Sequence, residues 1–128
     1  MVNENDKRTF SRIEIPGAVI IFKRRNKLGL LERFSRPMQL LNITKSGICF
    51  KSEKKFNYGD HISVEINIPG EKHIIVEGDV KWLHEDLPDN MCLVGAQFVA
   101  FGKGRQYNSL SSLERLRTIH EKYGNYQA

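Results

Sequence analysis

The sequence predicts a mainly β protein: a six-stranded antiparallel β-barrel followed by one C-terminal α-helix. Three observations lead there. Six short apolar or alternating runs are separated by tight-turn residues, and the clearest of them, 62–68, alternates strictly between apolar and polar positions. Past residue 108 the apolar spacing changes from two to three and four, the period of a helix face. An apolar fraction of 40% beside a charged fraction of 27% is enough for one packed core in 128 residues. Residues 1–128 therefore read as a single domain, with a flexible N-terminus over 1–6, a loop and barrel over 7–101, and a helix over 108–124.

The first strand falls in 17–22, where β-branched Val19, Ile20 and Ile21 follow the Pro16-Gly17 breaker. Residues 23–37 interleave Arg24, Arg25, Lys27, Arg33 and Arg36 with leucines, and fit either a long hairpin tip or one short helical turn. Strands two and three, 38–44 and 47–51, flank a tight turn. In strand four Ile62, Val64, Ile66 and Ile68 share one face, and Pro69-Gly70 turns the chain into a partner strand. There Ile74, Val76, Val80 and Trp82 are expected inward, and Glu77, Asp79 and Lys81 outward. The run 91–101 is apolar on both faces, so it is expected to be covered on both sides. In the helix Leu110, Leu113, Leu116, Ile119 and Tyr123 form one stripe, Ser111 with Glu114 suits a capping box, and Gly124 suits a stop.

Several function classes lack support. No apolar run approaches the ~20 residues of a membrane-spanning helix, and the first residues lack a basic-then-apolar leader, so a cytoplasmic protein without membrane insertion is expected. Cys49 and Cys92 form no CxxC unit and read as buried small hydrophobes. The four histidines show no zinc spacing, so no metal and no cofactor are expected. Gly102-Lys103-Gly104 begins like a dinucleotide loop but lacks the third glycine, and no phosphate-binding P-loop is present. The carboxylates Glu85, Asp86 and Asp89 flank Leu87-Pro88 and read as a solvated turn. An enzyme is not expected.

The net charge of +5 is unevenly distributed: +5 over residues 1–36, −3 over 37–102 and +3 over 103–128. A uniformly basic coat for nucleic acid would look different, whereas the N-terminal third can attract an anion by itself. Two motifs stand out. Arg8-Thr9-Phe10-Ser11-Arg12 places two arginines four apart, and Asn42-Ile43-Thr44-Lys45-Ser46-Gly47 matches Asn/Asp-x-Ser/Thr-x-x-Gly. Taken singly, the first reads as a solvated basic tail and the second as an ordinary strand–turn–strand.

In this order, with a strand between them, the two motifs resemble those of the PilZ domain, a bacterial receptor for cyclic di-GMP. Val94-Gly95-Ala96-Gln97-Phe98 is similar to the family's last-strand pattern, so the resemblance spans about 7–101. It implies a barrel with a following helix and a cyclic di-GMP site formed by Arg8, Arg12, Asn42, Thr44 and Gly47. Lys7 is a further cation, at a position that in this family bears on whether one or two ligands stack. Arginine suits such a ligand because its fork can pair with guanine O6 and N7 or grip phosphate, and its plane can stack on a base. Asn42 and the Thr44 hydroxyl can hydrogen-bond base or phosphate, and Gly47 can turn sharply with positive φ and admit a ligand to the backbone. Thr44 departs from the usual serine by one methyl group.

With no output module of its own, such a receptor would relay its signal to an unidentified downstream protein. Two other readings remain open. One is a PilZ-like protein-interaction module that binds no nucleotide. The other is a small β-barrel for single-stranded nucleic acid, disfavoured because Phe50, Phe98 and Trp82 are assigned to the core and not to a stacking surface.

Overall fold

The computed structural model describes residues 13–24, 33–85 and 87–124. Six strands, β1 (Val19–Arg24), β2 (Met38–Ile43), β3 (Gly47–Ser52), β4 (His61–Asn67), β5 (Ile74–His84) and β6 (Cys92–Phe98), precede one helix, α1 (Leu110–Gly124). All strand pairs are antiparallel, and the sheet closes on itself in the order β1-β2-β3-β6-β5-β4. Closure removes the exposed edges that an open sheet of this size would carry.

The chain enters the barrel through a turn at 15–18, where the Ala18 N–H donates to the Ile15 carbonyl at 3.1 Å and Gly17 sits at φ +81°. Pro16 followed by a left-handed glycine is the type II pattern. Inside, period-two alternation buries Ile20, Phe22, Ile62, Val64, Ile66, Ile74, Val76, Val80 and Val94. Phe22, Phe50 and Phe56 pack as a triad with ring centroids 5.1–6.0 Å apart. Each fully buried side chain of this kind stabilises the fold by roughly 1.5–3 kcal/mol.

β1 pairs along its length with β4 but meets β2 at only two positions, Val19↔Gln39 and Ile20↔Met38. The gap is partly bridged by Ser35, whose N–H donates to the Phe22 carbonyl at 2.7 Å and whose hydroxyl accepts from the Phe22 N–H at 3.0 Å. Of the basic stretch 23–37, residues 25–32 lie outside the described residues, and 33–37 are neither helix nor strand.

The helix docks on β5 through buried Leu116 and Ile119, and the Ser112 hydroxyl donates to the Ile75 carbonyl at 2.9 Å. Lys122 and the Tyr123 hydroxyl both reach the Glu71 carboxylate at the β4–β5 turn, and their hydrogen bonds hold that carboxyl below its usual range. Buried Asn108 ties the connection down, accepting from the Glu77 N–H at 2.7 Å and donating to the Glu77 and Val99 carbonyls.

Four expectations need correction. Trp82 faces outward and is 48% exposed, because the β5–β6 register shifts between Val80 and Trp82. The extra residue, Lys81, reverses the alternation beyond it. Cys49 is half-buried on the outer face, while Cys92 is buried, donates its thiol to the Lys54 carbonyl and has its pKa raised by burial; neither forms a disulfide. β6 is covered on one side only: Cys92, Val94, Ala96 and Phe98 are buried, but Leu93, Gly95 and Gln97 face out. The helix cap is Ser109, whose hydroxyl accepts from the Ser112 N–H at 3.0 Å, and not Ser111. Leu110, the first residue of the helix, falls outside the buried stripe, 47% exposed.

Candidate functional site

Antiparallel register lines up residues from different strands in lateral rows. Asn42 pairs with Cys49, Cys49 with Gly95, and Gly95 with Trp82, so these four lie side by side across β2, β3, β6 and β5. The neighbouring row runs Gly47, Gln97, Asp79, His61. Above these rows lies a cavity of about 600 Å³, lined among others by Asn42, Thr44, Gly47, Cys49, Lys81, Trp82, Gly95 and Gln97. Its size and mixed lining suit a small organic ligand.

Two bulges shape the walls. The β2–β3 register shifts between Leu40 and Asn42, which leaves Leu41 and Asn42 both half-buried on the outer side. Asn42 also lines a second cavity, of about 780 Å³, beside the 15–18 turn. Its side-chain amide makes no hydrogen bond among the described residues and is available on both sides. The β5 bulge turns out Lys81 and Trp82 together.

The predicted turn residues are brought together, in roles more specific than expected. The Thr44 hydroxyl accepts from the N–H groups of Ser46 and Gly47 at 3.1 and 2.9 Å and lies 3.2 Å from the Gly47 carbonyl. It is thus committed to holding the turn, closed by Thr44 N–H to Gly47 carbonyl at 2.8 Å. Gly47 is not in the left-handed region; positive-φ glycines are Gly17, Gly59, Gly70 and Gly104 among the described residues. The position requires glycine for another reason: a Cβ there would lie 2.2 Å from the Ala96 carbonyl oxygen.

Arg8, Arg12 and Lys7 lie outside the described residues. Ile13, the next residue after Arg12, is hydrogen-bonded in both directions to Ile43 at 3.0 Å, between Asn42 and Thr44. The chain leaving the basic motif is therefore anchored inside the second motif.

Beside the cavity, His61 sits between two carboxylates, with Nδ1 3.0 Å from Asp79 and Nε2 in contact with Glu77. Partial burial works against the charged ring, but hydrogen bonds and attraction from Asp79 and Glu77 outweigh it and raise the pKa above 6.5. No group of three or more His, Cys, Asp or Glu among the described residues is arranged to hold a metal. No helix among them is long and apolar enough to cross a membrane.

Sequence reasoning missed Lys81, Trp82 and Gln97 as site residues. The available signal was Gly95, since a glycine in mid-strand marks a bulge or a close approach. A Cβ there would lie 3.2 and 3.3 Å from Cβ and Cε3 of Trp82.

No family model and no curated protein matches the chain. Solved structures do. Bacillus subtilis MotI/DgrA, an inhibitor of motility, superposes with a TM-score of 0.62 at 14% identity over 90% of this chain and 50% of that one. K. pneumonia MrkH in its apo state gives 0.62 at 14%, over 88% and 49%, and its complex with c-di-GMP gives 0.59 at 15%, over 84% and 48%. The chain shares their fold. It spans about half the length of each.

Proposed function

We propose that this chain is a PilZ-type receptor domain, not an enzyme, that binds cyclic di-GMP and relays the signal to a second protein in the cytoplasm. The observation that supports the reading is the Ile13–Ile43 pairing, which holds Ile13, the residue that follows Arg12, between Asn42 and Thr44 beside the cavity. Arginine side chains can pair with guanine edges and grip phosphates. The Asn42 amide supplies a donor and an acceptor from a strand, a more rigid support than a loop. A shared fold with MrkH, solved in complex with c-di-GMP, adds weight to this choice of ligand.

Isothermal titration with cyclic di-GMP tests the reading. Wild type should release heat, and Arg8→Ala and Arg12→Ala should abolish or strongly weaken it. Equal heats from all three would remove the assigned site. Salt-sensitive binding of an oligonucleotide, with no response to cyclic di-GMP, would favour a single-stranded nucleic-acid barrel instead.

A further inference from the structure

We propose that the end of the barrel far from the Asn42–Gly47 turn is a docking surface for anionic phospholipid headgroups, made by Arg33, Lys54 and Lys55 with the rings of Phe34 and Tyr58. These residues take no part in the receptor reading, and the proposal stands apart from it. At this end β1 runs out at Arg24, β2 begins at Met38, and residues 53–60 cross from β3 to β4. Phe56 fills the opening from within, 2% exposed and packed on Phe22 and Phe50. Its neighbours face solvent. Lys54 and Lys55 are exposed, and Tyr58 stands out on a turn closed by the Asp60 N–H to the Asn57 carbonyl, with 69% of its surface free.

The chain segments at this end form one surface. Arg36 pairs with Glu53 at 2.9 Å, while Arg24 donates to the Lys55 carbonyl at 2.6 Å and lies 3.7 Å from Asp60. Those contacts occupy both carboxylates of 53–60. Arg33, Lys54 and Lys55 are left with no ion pair and no side-chain hydrogen bond among the described residues. Across 23–24, 33–36 and 53–60, six cations stand against two carboxylates, a net of +4. The β5–β6 turn at the same end carries Glu85 and Asp89, and Asp89 is taken by Lys51 at 2.9 Å. Unpaired cations beside exposed rings suit an anionic bilayer surface: the cations attract headgroup phosphates, and the rings favour the boundary between headgroups and water. Nucleic acid fits less well, because bases need free ring faces and the Lys23 ammonium covers one face of Phe34, 4.3 Å from its centroid. A protein partner also fits less well, since protein interfaces are poor in lysine and two of the three unpaired cations are lysines. The contact is peripheral, made by side-chain tips without insertion of the backbone.

Co-sedimentation of the full chain with vesicles of mixed phosphatidylglycerol and phosphatidylcholine tests the assignment, with pure phosphatidylcholine vesicles as the control. The protein should pellet with the mixed vesicles only, and the bound fraction should fall as salt rises. Arg33→Gln, Lys54→Gln and Lys55→Gln should each weaken partitioning about fivefold, and the triple variant should lose it. Tyr58→Ser should remove a part of the binding that salt does not screen. Thermal unfolding of every variant should match wild type, because these side chains lie outside the core. Wild type that stays in solution beside the anionic vesicles overturns the assignment. So does a triple variant that pellets as well as wild type, because the binding charge then lies elsewhere on the chain. Salt-sensitive binding of an oligonucleotide, lost in the triple variant and unaccompanied by vesicle binding, gives the surface to nucleic acid and overturns the lipid assignment.

Discussion

The barrel has two kinds of wall. Where β1, β4 and the first part of β5 meet, six consecutive pairs run in unbroken register on each side of β4, from Val19↔Asn67 to Arg24↔Ile62 and from His61↔Asp79 to Ile66↔Ile74. Its inner face is apolar, and on its outer face His61 is matched to Asp79 and Glu77. The wall of β2, β3, β6 and the far part of β5 carries both bulges, two glycines in close contact across the sheet, and the cavity. Regular pairing maximises stability and leaves a convex surface. The irregular wall gives up ladder regularity and gains a concavity with side chains aimed into it.

The sharpest way to break this contrast is Gly47→Ala. A methyl group 2.2 Å from the Ala96 carbonyl oxygen meets backbone, which cannot rotate away, so β3 and β6 must separate locally. We expect a stability loss of about 2–3 kcal/mol by urea denaturation. Gly70→Ala offers the comparison: nothing lies within 4 Å of that position, and its cost comes from φ +83° alone. It should lose only about 1–2 kcal/mol. Equal losses would mean that cross-sheet crowding is not what fixes glycine at 47.

A smaller effect should separate the turn from the ligand. Thr44→Val keeps the shape but removes the acceptor for two N–H groups, so stability should fall by about 1–2 kcal/mol. Thr44→Ser keeps the hydroxyl and should stay within about 0.5 kcal/mol of wild type, with cyclic di-GMP bound equally well or more tightly. Clearly weaker binding by the serine variant, measured by calorimetry, would show that the methyl group itself serves the site.

The two walls also differ in how readily they are read from sequence. The alternation of Ile62, Val64, Ile66 and Ile68 states the inner face of β4 outright, because a period of two admits one solution. The same rule misplaces Trp82, since a single inserted residue, Lys81, inverts every assignment beyond it. Nothing local marks that insertion; its cause is the pairing with β6 at Gly95. The positive φ expected of Gly47 fails for a similar reason, as the atom that excludes a side chain there lies almost fifty residues away on Ala96. The Asn42–Gly47 turn was legible because its chemistry is local, with Thr44 bonding residues two and three ahead. Arg8 and Arg12 stand on motif and resemblance alone, with Ile13 as their nearest structural anchor.

The smallest expected effect belongs to the regular wall. His61 has a raised pKa in the folded protein, from Asp79 and Glu77 acting against burial. A raised histidine pKa means the folded state holds its proton more tightly than the unfolded chain does. The resulting stabilisation is fully present below the unfolded value near 6.5, and is lost as pH rises through the folded value. The ring is about one-third exposed, so solvent screening keeps the contribution small. Urea denaturation of wild type and His61→Gln across this window should show the wild-type advantage shrinking as pH rises. The cavity wall one strand away contains no matched histidine–carboxylate set among its lining residues, so cyclic di-GMP affinity should change far less over the same range. If affinity falls in step with His61 deprotonation, the row from His61 through Asp79 to Gln97 couples the two walls, and their division of labour is not as sharp as the register suggests.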